Sequence, residues 1–167
     1  MELELHLLQA KDAMDILTFE KENRDYFNQT VPDRGRDYFH LETFLYRHQQ
    51  LLEEQKRGVS YFYLIKDVKG KLLGRINLVD IDREQALGHV GFRVGETVAG
   101  KGIARQALRL LQETASDIKV MEAKTTTHNR ASQRVLEICG FKKTYEEEKP
   151  FLFNGQEVRF VHFRWER

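Results

Sequence analysis

A short glycine-rich stretch has the residue types of an anion-binding loop. Gly100-Lys101-Gly102 lies where an apolar, strand-like segment stops and a helical pattern begins with Ile103 and Ala104. Glycines let the backbone turn tightly and approach a ligand closely, and the free N–H groups at the start of a helix attract phosphate. The stretch therefore predicts a loop that holds a pyrophosphate-bearing cofactor. An ordinary glycine turn before a surface helix is the alternative interpretation.

Two common nucleotide-binding motifs do not fit this loop. A Walker loop needs Ser or Thr directly after its Gly-Lys pair to hold magnesium, whereas Gly102 follows Lys101 here. A dinucleotide-binding fingerprint needs a third glycine, where this chain has Arg105. Nucleotide hydrolysis and a Rossmann-type site are therefore not expected. Lys101 and Arg105 are instead expected to contact phosphate from the first turn of the helix.

The composition sets limits on domain number and on partners. A chain of 167 residues with 41% hydrophobic content predicts a single domain, 1–167, with a core of its own. Lys and Arg total 27 against 26 for Asp and Glu, so no overall field favours direct nucleic acid or membrane binding. One cysteine excludes an internal disulfide, and scattered histidines predict no metal site. With no cationic leader and no long apolar run, the expected location is cytoplasmic.

The spacing of apolar residues predicts the elements that position the loop. The alternation of Leu3, Leu5 and Leu7 predicts a first strand, and Asn129 is expected to cap a helix that stops at Gly140. The order of elements favours an α/β (α+β) fold with a mixed sheet and helices on both faces. The other predicted elements are a helix over 11–26 with Asp12 as its cap, a helix from Asp37 to near Gly58, strands over 61–65, 72–79, 89–94 and 119–127, a helix from Ile103, a strand from Phe141, and a terminal hairpin that joins 143–151 to 158–165 through Asn154-Gly155.

Two segments together resemble the GNAT acetyltransferase superfamily, and the similarity extends over nearly the whole chain. The family signature is Gln or Arg, two residues, Gly, one residue, then Gly or Ala, and the segment that starts at Ala99 matches it except at that first position. The second segment has the family's Asn-x-x-Ser and Gly-Phe pattern at the expected distance. Its residues are Asn129, Ala131, Ser132, Val135, Leu136, Cys139, Gly140 and Phe141.

The resemblance implies a fold, a cofactor and a reaction. The expected fold is a mostly antiparallel sheet of about seven strands, and the expected co-substrate is acetyl-coenzyme A. Loop N–H groups would hold its pyrophosphate, and backbone groups of Phe92, Arg93 and Val94 would pair with its pantetheine arm if that strand splays from the next one near Lys124. The reaction is acetyl transfer to an amine by direct attack, without an acyl-enzyme.

The resemblance also suggests roles for three polar side chains. Asn129 is expected to cap its helix and also to contact coenzyme A. Ser132 is the candidate general acid toward the departing thiolate, because the similar Rim-type enzymes place a serine there. Tyr145 is the competing candidate, because many other members use a tyrosine as the acid.

The acceptor is left with alternatives. The chain is most similar to the Rim-type branch, which acetylates the amino termini of ribosomal proteins, so a protein N-terminus is the expected partner. A small-molecule amine such as a polyamine or an antibiotic is the first alternative, and a non-catalytic acyl-coenzyme A-binding module is the second. The run Glu146-Glu147-Glu148 is either an attraction for a cationic amine or a solvated strand end. The aromatic last strand and second helix are a possible homodimer face.

Overall fold

A computed structural model describes residues 1–167. The helices are α1 (Ala13–Glu22), α2 (Arg24–Phe27), α3 (Leu41–Lys56), α4 (Ile103–Thr114) and α5 (Arg130–Ile138). The strands are β1 (Leu3–Leu7), β2 (Tyr61–Asp67), β3 (Leu72–Asp82), β4 (Leu87–Val94), β5 (Val120–Thr126), β6 (Lys142–Glu146), β7 (Phe151–Phe153), β8 (Gln156–Val158) and β9 (Phe160–Glu166). None of the helices has the length and apolar character needed to cross a membrane.

Seven of the strands form one mixed sheet, in the order β1-β2-β3-β4-β5-β9-β6. Every neighbouring pair is antiparallel except β4 and β5, which are parallel and are joined by the loop and α4. A parallel pair needs such a crossover, because its second strand must start again at the same end of the sheet. The mostly antiparallel sheet of about seven strands that the family resemblance implies is confirmed.

Two apolar cores cover the two faces of the sheet. Leu64 and Ile65 are neighbours on β2, so their side chains point to opposite faces. Leu64 packs in the core that contains Ile16 of α1 and Phe44 of α3. Ile65 packs in the larger core, which contains Leu108 of α4. Helices therefore lie on both faces, as the order of the predicted elements indicates.

The first two predicted helices, over 11–26 and from Asp37 to near Gly58, are shorter in the structure than the sequence pattern predicts. The predicted helix over 11–26 breaks at Asn23, whose amide donates to the Phe19 carbonyl and whose Oδ1 accepts from the Glu96 N–H. A short polar side chain that bonds to the backbone in this way competes with helical pairing. Asp12 precedes α1 as expected, but its carboxylate accepts from the Gln9 N–H, one turn earlier. The second predicted helix corresponds to α3 and begins at Leu41, after a 3₁₀ turn over Arg36–Phe39.

The predicted terminal hairpin is wrong in its connection. Strand β6 does pair with β9, but the Asn154-Gly155 turn joins the separate small hairpin β7/β8. Both turn residues have positive φ, +49° and +77°, as a tight two-residue hairpin turn requires. The Asn154 amide donates to the Asn28 carbonyl, so the hairpin tip is tied to the segment after α2. Pairing with β5 draws β9 into the sheet, between β5 and β6.

A buried ion cluster fixes α1 to the sheet. Arg75 of β3 and Arg93 of β4 lie directly opposite each other, an arrangement that is repulsive without a counter-charge. Glu20 of α1, only 1% exposed, places Oε1 2.7 Å from Arg75 Nη1 and Oε2 2.9 Å from Arg93 Nη1. Burial raises the pKa of the Glu20 carboxyl, but the charges of Arg75, Arg93 and Arg34 outweigh burial and hold the pKa below its ordinary value. One carboxylate thus serves two arginines.

Replacing that carboxylate should destabilise the fold in a pH-dependent way. For Glu20→Gln we expect a loss of about 3 kcal/mol in the free energy of unfolding at pH 7, because two buried arginines lose their counter-charge. Because folding lowers the pKa of Glu20, the wild-type carboxylate contributes fully to the free energy of unfolding above its unfolded-state pKa of about 4.3. This contribution is lost as pH falls through the folded-state pKa. Urea unfolding measured from pH 7 downward should therefore show the difference shrinking in acid.

Glu22→Gln is the matched control, because Glu22 lies on the same helix and is exposed. It should change the free energy of unfolding by no more than about 0.5 kcal/mol. A Glu20→Gln deficit that stays constant with pH would contradict the electrostatic origin.

Candidate active site

The glycine loop presents unpaired backbone donors to an open space. Gly100 and Gly102 have φ of +74° and +79°, conformations that glycine adopts without strain. The N–H groups of Gly100, Lys101 and Gly102 donate to no other group of the protein. Gln106 is the first residue of α4 whose N–H donates to the carbonyl of the residue four positions earlier, Gly102. A Cβ placed on Gly100 would meet nothing within 4 Å. The loop therefore has the free donors and the room that a pyrophosphate needs.

The parallel strands bring a second helix start to the same edge. Pairing of β4 with β5 runs only from Leu87↔Val120 to Val90↔Ala123. Beyond that point β4 pairs on one side only, with β3, and β5 pairs only with β9. The loop and α4 follow the carboxyl end of β4, and α5 follows the carboxyl end of β5. A wedge-shaped gap therefore lies between the strands, with two helix N-termini beside it.

The first of two connected clefts, which we call the loop cleft, runs along this edge. It has a volume of about 640 Å³. Every residue that the sequence predicted to hold the cofactor lines it. These residues are Phe92, Arg93, Val94, Ala99, Gly100, Lys101, Gly102, Ile103, Ala104, Arg105 and Asn129. The predicted site residues are thus brought together in one place.

Sequence reasoning missed several residues of the loop cleft. Arg134, in the middle of α5, adds a fourth cation to Arg93, Lys101 and Arg105. Tyr26 and Phe27 of α2 give the cleft an apolar wall. Nothing in the sequence near the loop indicates these contributions, because they come from distant segments that only folding brings together. The cleft lining contains no Asp, Glu or His, so its charge suits an anionic ligand.

The second cleft, which we call the strand cleft, lies in the gap between β4 and β5. Its volume is about 240 Å³. It shares Val31, Phe92, Arg93, Asn129 and Ser132 with the loop cleft, so the two are continuous. The residues that line only the strand cleft are Arg34, Arg75, Asn77, Val90, Gly91, Ala123, Lys124, Thr125 and Leu136. A ligand in the loop cleft can therefore meet a second molecule in the strand cleft.

Asn129 and Ser132 lie where the two clefts meet. Asn129 precedes α5, and its Oδ1 accepts from the Ser132 N–H at 3.2 Å, so the predicted cap is confirmed. The Ser132 side chain is half-buried in the first turn of α5. Ser132 lines both clefts, so it is placed at their junction, as a candidate proton donor must be.

Tyr145 lies apart from this junction. It is on the outer strand β6, 54% exposed, with its ring stacked on His162 at a centroid distance of 4.1 Å. It lines neither cleft. The competing candidate acid is therefore not brought together with the other predicted residues.

The acidic run that begins at the last residue of β6 also lies outside the clefts. Glu146 is 3.5 Å from Lys143 Nζ, and Glu147 is 2.6 Å from His162 Nε2. None of the three glutamates at 146–148 lines either cleft. The geometry favours the solvated strand end over the attraction of a cationic amine.

Cys139 is the chain's one thiol, and it is buried behind α4. Burial raises its pKa, which keeps the thiol protonated although Arg109 and Arg105 act in the opposite direction. It lines neither cleft, so it is not placed to act as a nucleophile. Direct transfer between two bound molecules needs no such group.

Comparison with known proteins agrees with this geometry. The family model described as an acetyltransferase (GNAT) domain matches residues 2–142. A probable N-acetyltransferase, YjcK, of Bacillus subtilis is 31% identical over 153 residues, which cover 89% of this chain and 84% of that protein.

Enzymes with the same fold and with solved structures are named for different acceptors. Ribosomal-protein-S5-alanine acetyltransferase from Vibrio fischeri superposes with a TM-score of 0.88 and 25% identity, over 99% of this chain and 93% of that one. Spermidine N-acetyltransferase from Vibrio cholerae, in complex with coenzyme A and spermine, superposes with a TM-score of 0.80 and 16% identity, over 98% and 95%. The first confirms the similarity to Rim-type enzymes. The chain belongs to the GNAT family, and it is an acetyltransferase that uses acetyl-coenzyme A.

Proposed function

We propose that this enzyme transfers the acetyl group of acetyl-coenzyme A to the α-amino group of a protein N-terminus. The observation that carries the proposal is the strand cleft, whose lining has cationic side chains and no Asp, Glu or His. A cleft of this kind offers no carboxylate to bind an ammonium group and no side-chain base to deprotonate one. The acceptor must therefore arrive as a neutral amine.

The ordinary pKa values of amines then favour an α-amine. With a pKa of about 7.8, roughly one α-amine in three is neutral at pH 7.5. With a pKa of about 10.4, only about one lysine-type amine in a thousand is neutral, and polyamines are of this kind. Nearby positive charge lowers the pKa of a bound amine further and so favours the reactive form. A polyamine would favour a closed acidic pocket, whereas the cleft between β4 and β5 has no acidic side chain in its lining.

The loop cleft fits acetyl-coenzyme A. Free N–H groups of Gly100, Lys101 and Gly102, with the Arg105 side chain above them, would hold the pyrophosphate. The unpaired edge of β4 at Phe92–Val94 would receive the pantetheine amides, because strand groups without a partner seek one. When bound, the cofactor supplies a thioester whose acetyl group is ready for transfer.

The transfer needs few side chains. The amine nitrogen forms an amide bond with the acetyl carbon, the carbon–sulfur bond breaks, and the amine releases a proton to water. Ser132, at the junction of the clefts, would give its hydroxyl proton to the departing sulfur and recover a proton from solvent. Backbone N–H groups of β4 would stabilise charge on the carbonyl oxygen.

Thiol release with a panel of acceptors tests the proposal. Short peptides with a free N-terminus should release coenzyme A from acetyl-coenzyme A faster than spermidine, lysine side chains or amino sugars do at pH 7.5. Peptides blocked at the N-terminus are the control, and mass spectrometry should place the acetyl group on the α-nitrogen. Faster release with spermidine than with every peptide would contradict the proposal.

A charge placed in the glycine loop should block the cofactor. For Gly102→Glu we expect affinity for coenzyme A to fall at least about a hundredfold, because like charges about 4 Å apart near a protein surface repel by roughly 4 kcal/mol. Isothermal titration measures this affinity. Gly70→Glu is the matched control, since Gly70 also has positive φ, +83°, but lies in the β2–β3 turn. Equal affinity in the two variants would refute the loop assignment.

Two hydroxyl deletions should separate the candidate acids. Ser132→Ala is expected to lower kcat by at least about tenfold with little change in affinity for acetyl-coenzyme A, because positioned proton donors contribute about a hundredfold or more. Tyr145→Phe should keep wild-type kcat, because that ring lies on the outer strand. Steady-state rates with a peptide acceptor measure both effects. The opposite pattern would assign the acid to Tyr145.

A further inference from the structure

The strand cleft has more positive charge than the protein neutralises. Arg34, Arg75, Arg93 and Lys124 all line it, and no carboxylate does. Glu20, behind the cleft, is the single acidic partner, and its two oxygens are already bonded to Arg75 and Arg93. The cleft therefore has four cations, of which only Arg75 and Arg93 are paired with this anion.

Two of these cations have no carboxylate within ion-pair distance. Arg34 donates to the Tyr38 hydroxyl at 3.4 Å, and its guanidinium lies 4.9 Å from the centre of the same ring. Lys124 Nζ lies 4.4 Å from the centre of the Phe160 ring. Neither takes part in a salt bridge, although both border a space large enough for a ligand. Both charges are thus available to an anion that enters the cleft.

A second, independent feature of the cleft also lacks a partner. Asn77 Oδ1 is buried, and it is the one buried side-chain oxygen or nitrogen of the chain without a hydrogen bond. Asn77 lies on β3 opposite Gly91, whose missing side chain leaves the space in front of it open. A buried carbonyl oxygen without a donor is destabilising, and a bound N–H group would supply the missing hydrogen bond.

We infer that the strand cleft selects protein N-termini that carry acidic side chains directly after the first residue. This inference rests on the proposed function and names its substrate class. The surplus cations Arg34 and Lys124 would pair with the acidic side chains, and Asn77 Oδ1 would accept a peptide N–H. A ligand that offers both a backbone N–H group and acidic side chains is an acidic peptide, whereas a free amine offers neither.

Three pentapeptide amides with the same first residue test the inference. Their sequences are Ala-Asp-Asp-Gly-Gly, Ala-Asn-Asn-Gly-Gly and Ala-Arg-Arg-Gly-Gly, each with one acylatable amine. We expect kcat/KM for the Asp peptide to exceed that for the Asn peptide about tenfold, with the Arg peptide slowest. The advantage should shrink in 0.5 M NaCl, because salt screens exposed charges. Free L-aspartate is the fourth acceptor and should be slower than the Asp peptide.

Single substitutions connect this preference to the cleft. Arg34→Gln and Lys124→Gln should each reduce the Asp-to-Asn ratio of kcat/KM, because each removes one of the surplus cations that line the cleft. Arg47→Gln is the matched control, because Arg47 also lies near the Tyr38 ring but outside the strand cleft. It should keep the wild-type ratio.

The possible failures are distinguishable. Equal kcat/KM on the three peptides, or a preference for the Arg peptide, would overturn the acidic preference while α-amine acetylation stands. A higher kcat/KM on free L-aspartate than on the Asp peptide would overturn the peptide as the source of the anion. No thiol release with any peptide, together with release by a small amine, would overturn the proposed function itself.

Discussion

The site exists because β4 and β5 stop pairing halfway along their length. The strands are hydrogen-bonded as far as Val90 and Ala123, and beyond those residues each has a free edge. Exposed strand groups need partners, so the gap is stable only where water or a ligand supplies them. Because the two strands are parallel, the loop before α4 and the start of α5 both follow their carboxyl ends and meet at this gap. One interruption of the sheet thus produces the loop cleft, the strand cleft and their junction.

The ion cluster shows that fold and site use the same residues. Two arginines face each other across β3 and β4, and Glu20 makes their proximity possible while it holds α1 against the sheet. The same two arginines line the strand cleft. Burial lowers the pKa of Arg93, and the charges of Arg34 and Arg75 lower it further although Glu20 opposes them. Three arginines, Arg34, Arg75 and Arg93, thus lie around the single carboxylate of Glu20.

The sequence predicts those features of the fold and of the site that a few consecutive residues determine, and it fails for features that contacts between distant residues determine. Gly100, Gly102 and Asn129 are recognisable because positive φ and helix capping are properties of a few consecutive residues. The helix break at Asn23 was missed because its cause is a hydrogen bond to Glu96, 73 positions away. The terminal hairpin was misassigned for a similar reason. An Asn-Gly turn predicts a hairpin, but not which strands the sheet will pair.

The same distinction separates the two halves of the reaction. The proposed cofactor side uses mainly backbone N–H groups of one continuous segment, so a motif predicts it even though Ala99 departs from the family pattern. The proposed acceptor side uses side chains of the segment after α2 and of β3, β4 and β5, which are far apart in sequence. Arg34, Asn77 and Lys124 line the strand cleft alone, so these positions can differ without a change in the lining of the loop cleft. Enzymes of one fold can therefore keep the donor and differ in the acceptor, and the acceptor that we propose for this chain rests on the charge that lines the strand cleft and not on the glycine loop.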